Sequence, residues 1–188
     1  MISKHELPRG QIFVIDNVLN FDECQELINV IDERAMLKEC YGKESNVQST
    51  YIDLEMLKNS HEELHDKLYK MIFNSINRVV LTVGNTSPID ITCITSDSGY
   101  RLRKIHGPTK IHVDGTIEKS SGRARVASVI IALNSDYEGG EFVFQEQDVK
   151  IKLKAGQALF FPPYWSHPHE TLDLHGTYRY TINTWLCH

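Results

Sequence analysis

The chain has 188 residues and a mass of 21.6 kDa, with 41% hydrophobic residues, a formal net charge of −5 and a pI near 6.0. This is enough for one domain with a substantial core, and the acidic balance argues against a general phosphate-binding surface and so against nucleic acid as a partner. The four cysteines (Cys24, Cys40, Cys93, Cys187) are widely spaced, residues 1–10 contain no apolar leader, and no run is long enough to span a bilayer; together they predict a cytoplasmic protein with reduced thiols and no membrane segment.

In chain order, the short apolar run Ile12-Phe13-Val14-Ile15 predicts a buried strand within 11–16. Asn20 followed by Glu23 marks a helix start, and Phe21, Cys24, Leu27, Ile28, Ile31 and Ala35 recur at helical spacing, so this helix packs an apolar stripe against a sheet. Residues 40–50 turn polar and predict a connection. Ser60 with Glu63 reads as a capping box opening a second amphipathic helix through Leu64, Leu68, Met71, Ile72, Ile76 and Val79. That helix opens with His61-Glu62-Glu63-Leu64-His65, a literal His-Glu-x-x-His in which two imidazoles lie one turn apart with Glu62 as a candidate base, the pattern of a zinc peptidase. The cap places it in an acidic first turn suited to the helix dipole, and no third ligand follows, so an ordinary capped helix is the preferred reading.

From about residue 86 the texture becomes β. Strands are expected at 89–95, 100–105, 109–114, 126–133, 141–145, 149–153 and 158–161, and two more carry His169 and Arg179. Many short strands punctuated by Ser98-Gly99, Gly107-Pro108, Gly139-Gly140 and Ala155-Gly156 predict a sandwich or jelly roll. On a strand His112 and Asp114 would share a face and form a two-ligand clamp. Two imidazoles and one carboxylate with open positions suit a non-haem iron(II) centre. His167 and His169 are the candidates for the second imidazole, and Arg179 beyond the turn at Gly176 offers a bidentate grip for a carboxylate, with Thr181, Asn183 and Trp185 on its face. The polar stretch 115–125, ending in Arg125, is a candidate substrate-contacting lid, and Tyr100, Arg101 and Arg103 are candidates to line the approach.

These pieces, His112-Val-Asp114, Ala132-Leu-Asn134, Tyr137-Glu-Gly-Gly-Glu-Phe-Val-Phe144, Ala158-Leu-Phe-Phe-Pro162, and His169 to Arg179-Tyr180 with Trp185, resemble the 2-oxoglutarate- and iron(II)-dependent dioxygenases, especially their prolyl 4-hydroxylase-like branch. The resemblance implies an α+β fold, a double-stranded β-helix (jelly roll) with N-terminal packing helices. It implies one domain over 1–188, with helical support in about 1–85 and the jelly-roll core in about 86–188. His112, Asp114 and His169 are the implied metal ligands, His169 being favoured over His167 by its spacing from Arg179. Arg179 and Thr181 are the implied partners of 2-oxoglutarate, and Tyr100, Arg125, Asn183 and Trp185 are candidate lining residues. The implied cofactors are Fe(II), 2-oxoglutarate as cosubstrate and O2, with ascorbate as a candidate reductant. The implied reaction hydroxylates a C–H bond of a prolyl peptide, or of a protein, free amino acid or other small molecule, with release of succinate and CO2. A binding module without turnover is the alternative outside enzymes. Ala132 departs from the tyrosine that often helps hold 2-oxoglutarate at that place, and Gly176 is displaced from the usual glycine.

Overall fold

The computed structural model describes residues 11–40, 47–87 and 90–188. Its elements are β1 (Phe13–Ile15), α1 (Phe21–Arg34), β2 (Leu37–Cys40), β3 (Val47–Asp53), α2 (Glu62–Thr86), β4 (Ser96–Asp97), β5 (Arg101–Ile105), β6 (Thr109–His112), β7 (Arg125–Ala132), β8 (Phe142–Phe144), β9 (Val149–Ile151), β10 (Ala158–Phe161), β11 (His169–Thr171) and β12 (Arg179–Cys187), with short 3-10 turns at Leu54–Leu57 and Ile91–Cys93. The strands form two antiparallel sheets. The large one runs β1-β10-β7-β12-β5-β3-β2 with β4 on β12, and the small one runs β6-β11-β8-β9. This is the expected jelly roll with packing helices.

Helix α1 begins where the sequence signals it: Asn20 Oδ1 accepts from Glu23 N at 2.9 Å and Glu23 Oε2 accepts from Asn20 N at 2.8 Å. Its buried stripe, Cys24, Leu27, Val30 and Ile31, and that of α2, Leu68, Ile72, Ile76, Val79 and Val83, meet the outer face of the large sheet through Ile52, Leu102, Ile131 and Ile182. Between the sheets lies a second core of Ile130, Ala132, Phe142, Phe144, Leu153, Leu159 and Phe161. Strand alternation explains the division on β10: Phe160 packs under the helices while Leu159 and Phe161 enter the inter-sheet space. The same alternation on β12 turns Ile182 and Leu186 outward and leaves Arg179, Thr181, Asn183 and Trp185 to the interior face.

Several expectations need correction. Helix α2 is capped at His61 without a side-chain cap bond, so the Ser60–Glu63 capping box does not form; Ser60 Oγ instead meets His61 Nδ1 at 2.8 Å. The strand expected at 89–95 is largely replaced by the 3-10 turn Ile91–Cys93, because Asp90 Oδ1 accepts from Thr92 N at 2.9 Å and bends the chain locally. The polar segment 40–50 is not all connection: β3 starts at Val47 and pairs with β5 over Ser49–Asp53, while residues 41–46 lie outside the described residues. Nor does residue 85 separate a helical part from a β part, since β1, β2 and β3 all join the large sheet. A non-local pairing of this kind leaves little trace in local sequence. Among the described residues no helix is long and apolar enough to cross a membrane.

Candidate metal centre

His112 and His169 come together through register. Strand β6 pairs with β11 so that the two residues are Cα partners, and their rings lie 4.5 Å apart between centroids. Strand β6 stops at His112, so Asp114 is not its strand neighbour as the alternation argument required; it sits in the following loop, where Gly115 takes φ +89. Only a glycine adopts that conformation cheaply, and the turn returns the carboxylate to the imidazoles. Asp114 Oδ1 lies 3.6 Å from His112 Nε2 and 3.8 Å from His169 Nε2. One donor atom from each of the three falls within 4.8 Å of the others, and this is the only such His/Cys/Asp/Glu group among the described residues.

The second carboxylate oxygen is tied down. Asp114 Oδ2 accepts from Ser128 Oγ and, at 3.1 Å, from Trp185 Nε1. Arg125 supports both sides of this arrangement, with Nη1 donating to the Asp114 carbonyl at 2.6 Å, its guanidinium 3.6 Å from the Trp185 ring centroid, and Nε and Nη2 on Glu118 Oε2 at 3.1 and 2.6 Å. The segment 115–124 is thereby clipped beside the cavity, with a bridge between Ile117 and Ala124. Burial works against charge on Asp114, but His112, His169, Ser128 and Trp185 outweigh it and bring the carboxyl down to about 2. Desolvation lowers the pKa of His169, which favours the neutral, ligating imidazole, whereas Asp114 raises that of His112. Each imidazole is also oriented from behind: His112 Nδ1 lies 2.8 Å from Lys110 O and His169 Nδ1 lies 3.1 Å from His167 O.

A cavity of about 660 Å³ runs from this cluster to Arg179. Arg179 is 2% exposed, its Nη1 donates to Gly140 O, its guanidinium stands 4.5 Å from the Phe142 ring centroid, and its Nε has no partner among the described residues. Desolvation brings its pKa down to about 10, with Tyr137 opposing the shift and Arg103 adding to it. The Gly139-Gly140 turn is shaped to this purpose. A Cβ on Gly139 would collide with the Asp173 carbonyl and one on Gly140 with Leu174, so only glycines let the chain present Gly140 O to the guanidinium. A buried cation without a carboxylate, facing a cavity, calls for an anionic ligand. Two imidazoles, a monodentate carboxylate and this guanidinium therefore fit a divalent metal with a carboxylate-bearing ligand.

The other residues named from the sequence divide. Tyr100, Arg125, Thr181, Asn183 and Trp185 line the cavity. Thr181 Oγ1 donates to Asn183 Oδ1 at 2.7 Å, and the Tyr100 hydroxyl donates to Asp97 at 2.8 Å. His167 is buried outside the triad, its Nδ1 2.9 Å from Ser166 Oγ. His61 and His65 do not converge on a metal: His61 Nε2 meets Arg34 at 3.0 Å, and His65, buried, meets Asp66 at 2.9 Å and Glu55 at 3.5 Å. Ala132 is fully buried in the core between the sheets, and the buried Tyr137 donates its hydroxyl to Leu153 O at 2.8 Å. Ser128 was missed by sequence reasoning; a hydroxyl inside the otherwise apolar run 126–133 was its signal.

Residues 100–187 match the family model described as the 2OG-Fe(II) oxygenase superfamily. The human protein named prolyl 3-hydroxylase 2 is 27% identical over 199 residues, a match covering 89% of this chain and 28% of the human protein, and its chicken counterpart is 25% identical over 215 residues. The chain thus spans less than a third of the length of these relatives. Among solved structures, the viral collagen prolyl hydroxylase of Paramecium bursaria Chlorella virus-1, in its 2OG complex, aligns with TM-score 0.66 at 21% identity over 94% of this chain and 95% of that one. A Trichoplax adhaerens prolyl hydroxylase in complex with a hypoxia inducible factor peptide fragment aligns with TM-score 0.70 at 16% identity over 95% and 84%.

Proposed function

We propose, from the match of residues 100–187 to the 2OG-Fe(II) oxygenase superfamily and the likeness to prolyl hydroxylases, that the chain is an iron(II)- and 2-oxoglutarate-dependent hydroxylase acting on prolyl residues of a peptide. The observation that carries the reading is the pairing of a two-histidine, one-carboxylate cluster with a buried, uncompensated arginine in one cavity. Iron(II) with 2-oxoglutarate and O2 supplies the oxidising power, one oxygen atom entering the substrate C–H bond and the other leaving in succinate as CO2 is released.

The chain's own residues do the rest. His112, Asp114 and His169 would hold the metal from one side, and the hydrogen bonds from Ser128 and Trp185 to Asp114 Oδ2 leave Oδ1 as the ligating atom. A carboxylate held to one-point attachment keeps more positions free for cosubstrate and oxygen. Arg179 would grip the distal carboxylate of 2-oxoglutarate, and the Phe142 ring, 4.5 Å from its guanidinium, shields it from water. The substrate approaches over the rim of Arg101, Val113 and Lys119.

The peptide substrate rests on the names of the similar proteins, which speak of prolyl hydroxylation in collagen and in a hypoxia inducible factor fragment. With its free cysteines, Cys24, Cys93 and Cys187 among the described residues, the chain suits a reducing, cytoplasmic setting. The test is to reconstitute the protein with Fe(II) and 2-oxoglutarate, measure succinate, and look by mass spectrometry for a gain of one oxygen on proline-containing peptides, with fragmentation and chromatographic standards separating the 3- and 4-positions. Succinate formation that rises with such a peptide supports the reading; 2-oxoglutarate left intact with and without peptide overturns it.

A further inference from the structure

Arg179 and Arg103 line the same cavity, and the Nε atom of each is buried without a hydrogen-bond partner among the described residues. Buried donors are nearly always satisfied, so an orphan on a side chain that lines a cavity points to a ligand atom. The sheet places the pair side by side. Arg103 on β5 is the Cα partner of Thr181 on β12, and Arg179 is the next residue on the same face of β12. Such diagonal positions let long side chains meet.

Arg103 is also held from behind. Its Nη2 donates to Glu39 and, at 2.9 Å, to Ser49 Oγ, and Ser49 Oγ donates to Glu39 at 3.0 Å. Glu39 and Ser49 come from β2 and β3, at the far edge of the large sheet, and Ser49 is fully buried. Glu39 balances the charge of Arg103 and fixes its orientation, whereas Arg179 has a backbone carbonyl and a ring but no carboxylate. One arginine therefore supplies an unbalanced charge, and its neighbour supplies a directed donor with little added charge.

We propose that Arg103 is a second arginine of the cosubstrate pocket, donating from Nε to the same distal carboxylate that Arg179 grips. The proposal rests on reading the cavity as a 2-oxoglutarate pocket and adds a residue to it. Arg103, positioned by Glu39 and Ser49, makes the pocket select a dicarboxylic 2-oxoacid over a monocarboxylic one, because two donors are left unpaired when the distal carboxylate is missing. It also assigns a role to β2 and β3, which hold a cosubstrate-binding side chain from the sheet edge.

The experiment is calorimetric titration of the Mn(II)-loaded full chain with 2-oxoglutarate and with 2-oxopentanoate, which lacks the distal carboxylate, comparing wild type, Arg103→Gln, Arg103→Lys and Glu39→Gln. Arg103→Gln is expected to weaken 2-oxoglutarate on the order of tenfold or more, while Mn(II) affinity and 2-oxopentanoate binding stay as in wild type. Arg103→Lys and Glu39→Gln are expected to lose less, and they carry the test if Arg103→Gln does not fold. Unchanged 2-oxoglutarate affinity in the Arg103 variants overturns the proposal, as does equal weakening of both oxoacids, which would place Arg103 elsewhere. Wild type that binds no 2-oxoglutarate at all would instead defeat the underlying reading of the cavity.

Discussion

Arg179→Met is expected to stabilise the ligand-free protein while abolishing its response to 2-oxoglutarate. Burial of Arg179 lowers its pKa well below the usual guanidinium range, to about 10. The group is charged in both the folded and unfolded chain at neutral pH, so a lowered folded pKa acts against folding everywhere below it, by roughly 3 kcal/mol at about 1.36 kcal/mol per pH unit. Methionine removes that penalty and fills a similar volume, but it leaves Gly140 O without its donor and gives up the stacking on Phe142, a loss of roughly 1–2 kcal/mol. The net gain is about 1–2 kcal/mol, which for a chain of this size raises the thermal midpoint by about 2–8 °C. Wild type with Mn(II) gains about 2.7 kcal/mol from 2-oxoglutarate at 100 times its Kd, and the variant gains nothing. Differential scanning calorimetry with and without 2-oxoglutarate reads both effects. A variant that melts below wild type without ligand yet still shifts with 2-oxoglutarate would refute both the charge-burial reasoning and the role of Arg179.

Three further outcomes follow from the geometry. His169→Ala should retain little iron, whereas His167→Ala, outside the triad, should retain it; iron content by emission spectrometry compares the two, and the reverse result would move the site. Trp185→Phe keeps a ring beneath Arg125 but removes a donor to Asp114 Oδ2, so metal affinity should fall on the order of tenfold, and an unchanged Mn(II) titration would show that Ser128 alone orients the carboxylate. His61→Ala and His65→Ala should leave metal content at the wild-type level, with His65→Ala lowering the thermal midpoint because that ring is 4% exposed and packed on Tyr69.

The sequence made the site's components and their order legible because the chemistry restricts them to few residue types. His112, Asp114, His169 and Arg179 stand out as polar groups set into strand-like runs, and Asn20 with Glu23 marks α1 through a purely local pair of hydrogen bonds. Where local rules compete, tertiary contacts decide. His112-Val-Asp114 reads as one strand because alternation would align its two polar side chains, but β6 ends at His112 and the turn at Gly115 aligns them. Ser60 looked like a cap because its spacing to Glu63 was right, but its hydroxyl went to His61. Arg103 could be named only as a candidate on the approach: its position beside Arg179, and its hold by Glu39 and Ser49, depend on pairing β2, β3, β5 and β12 across long separations, which no local pattern records.

The most direct test of the central claim is an anaerobic crystal structure with Mn(II) and 2-oxoglutarate, read by anomalous scattering. The account predicts one strong Mn(II) peak ligated by His112, Asp114 Oδ1 and His169, with the distal carboxylate of 2-oxoglutarate on Arg179. A peak elsewhere, or 2-oxoglutarate bound away from Arg179, would contradict it.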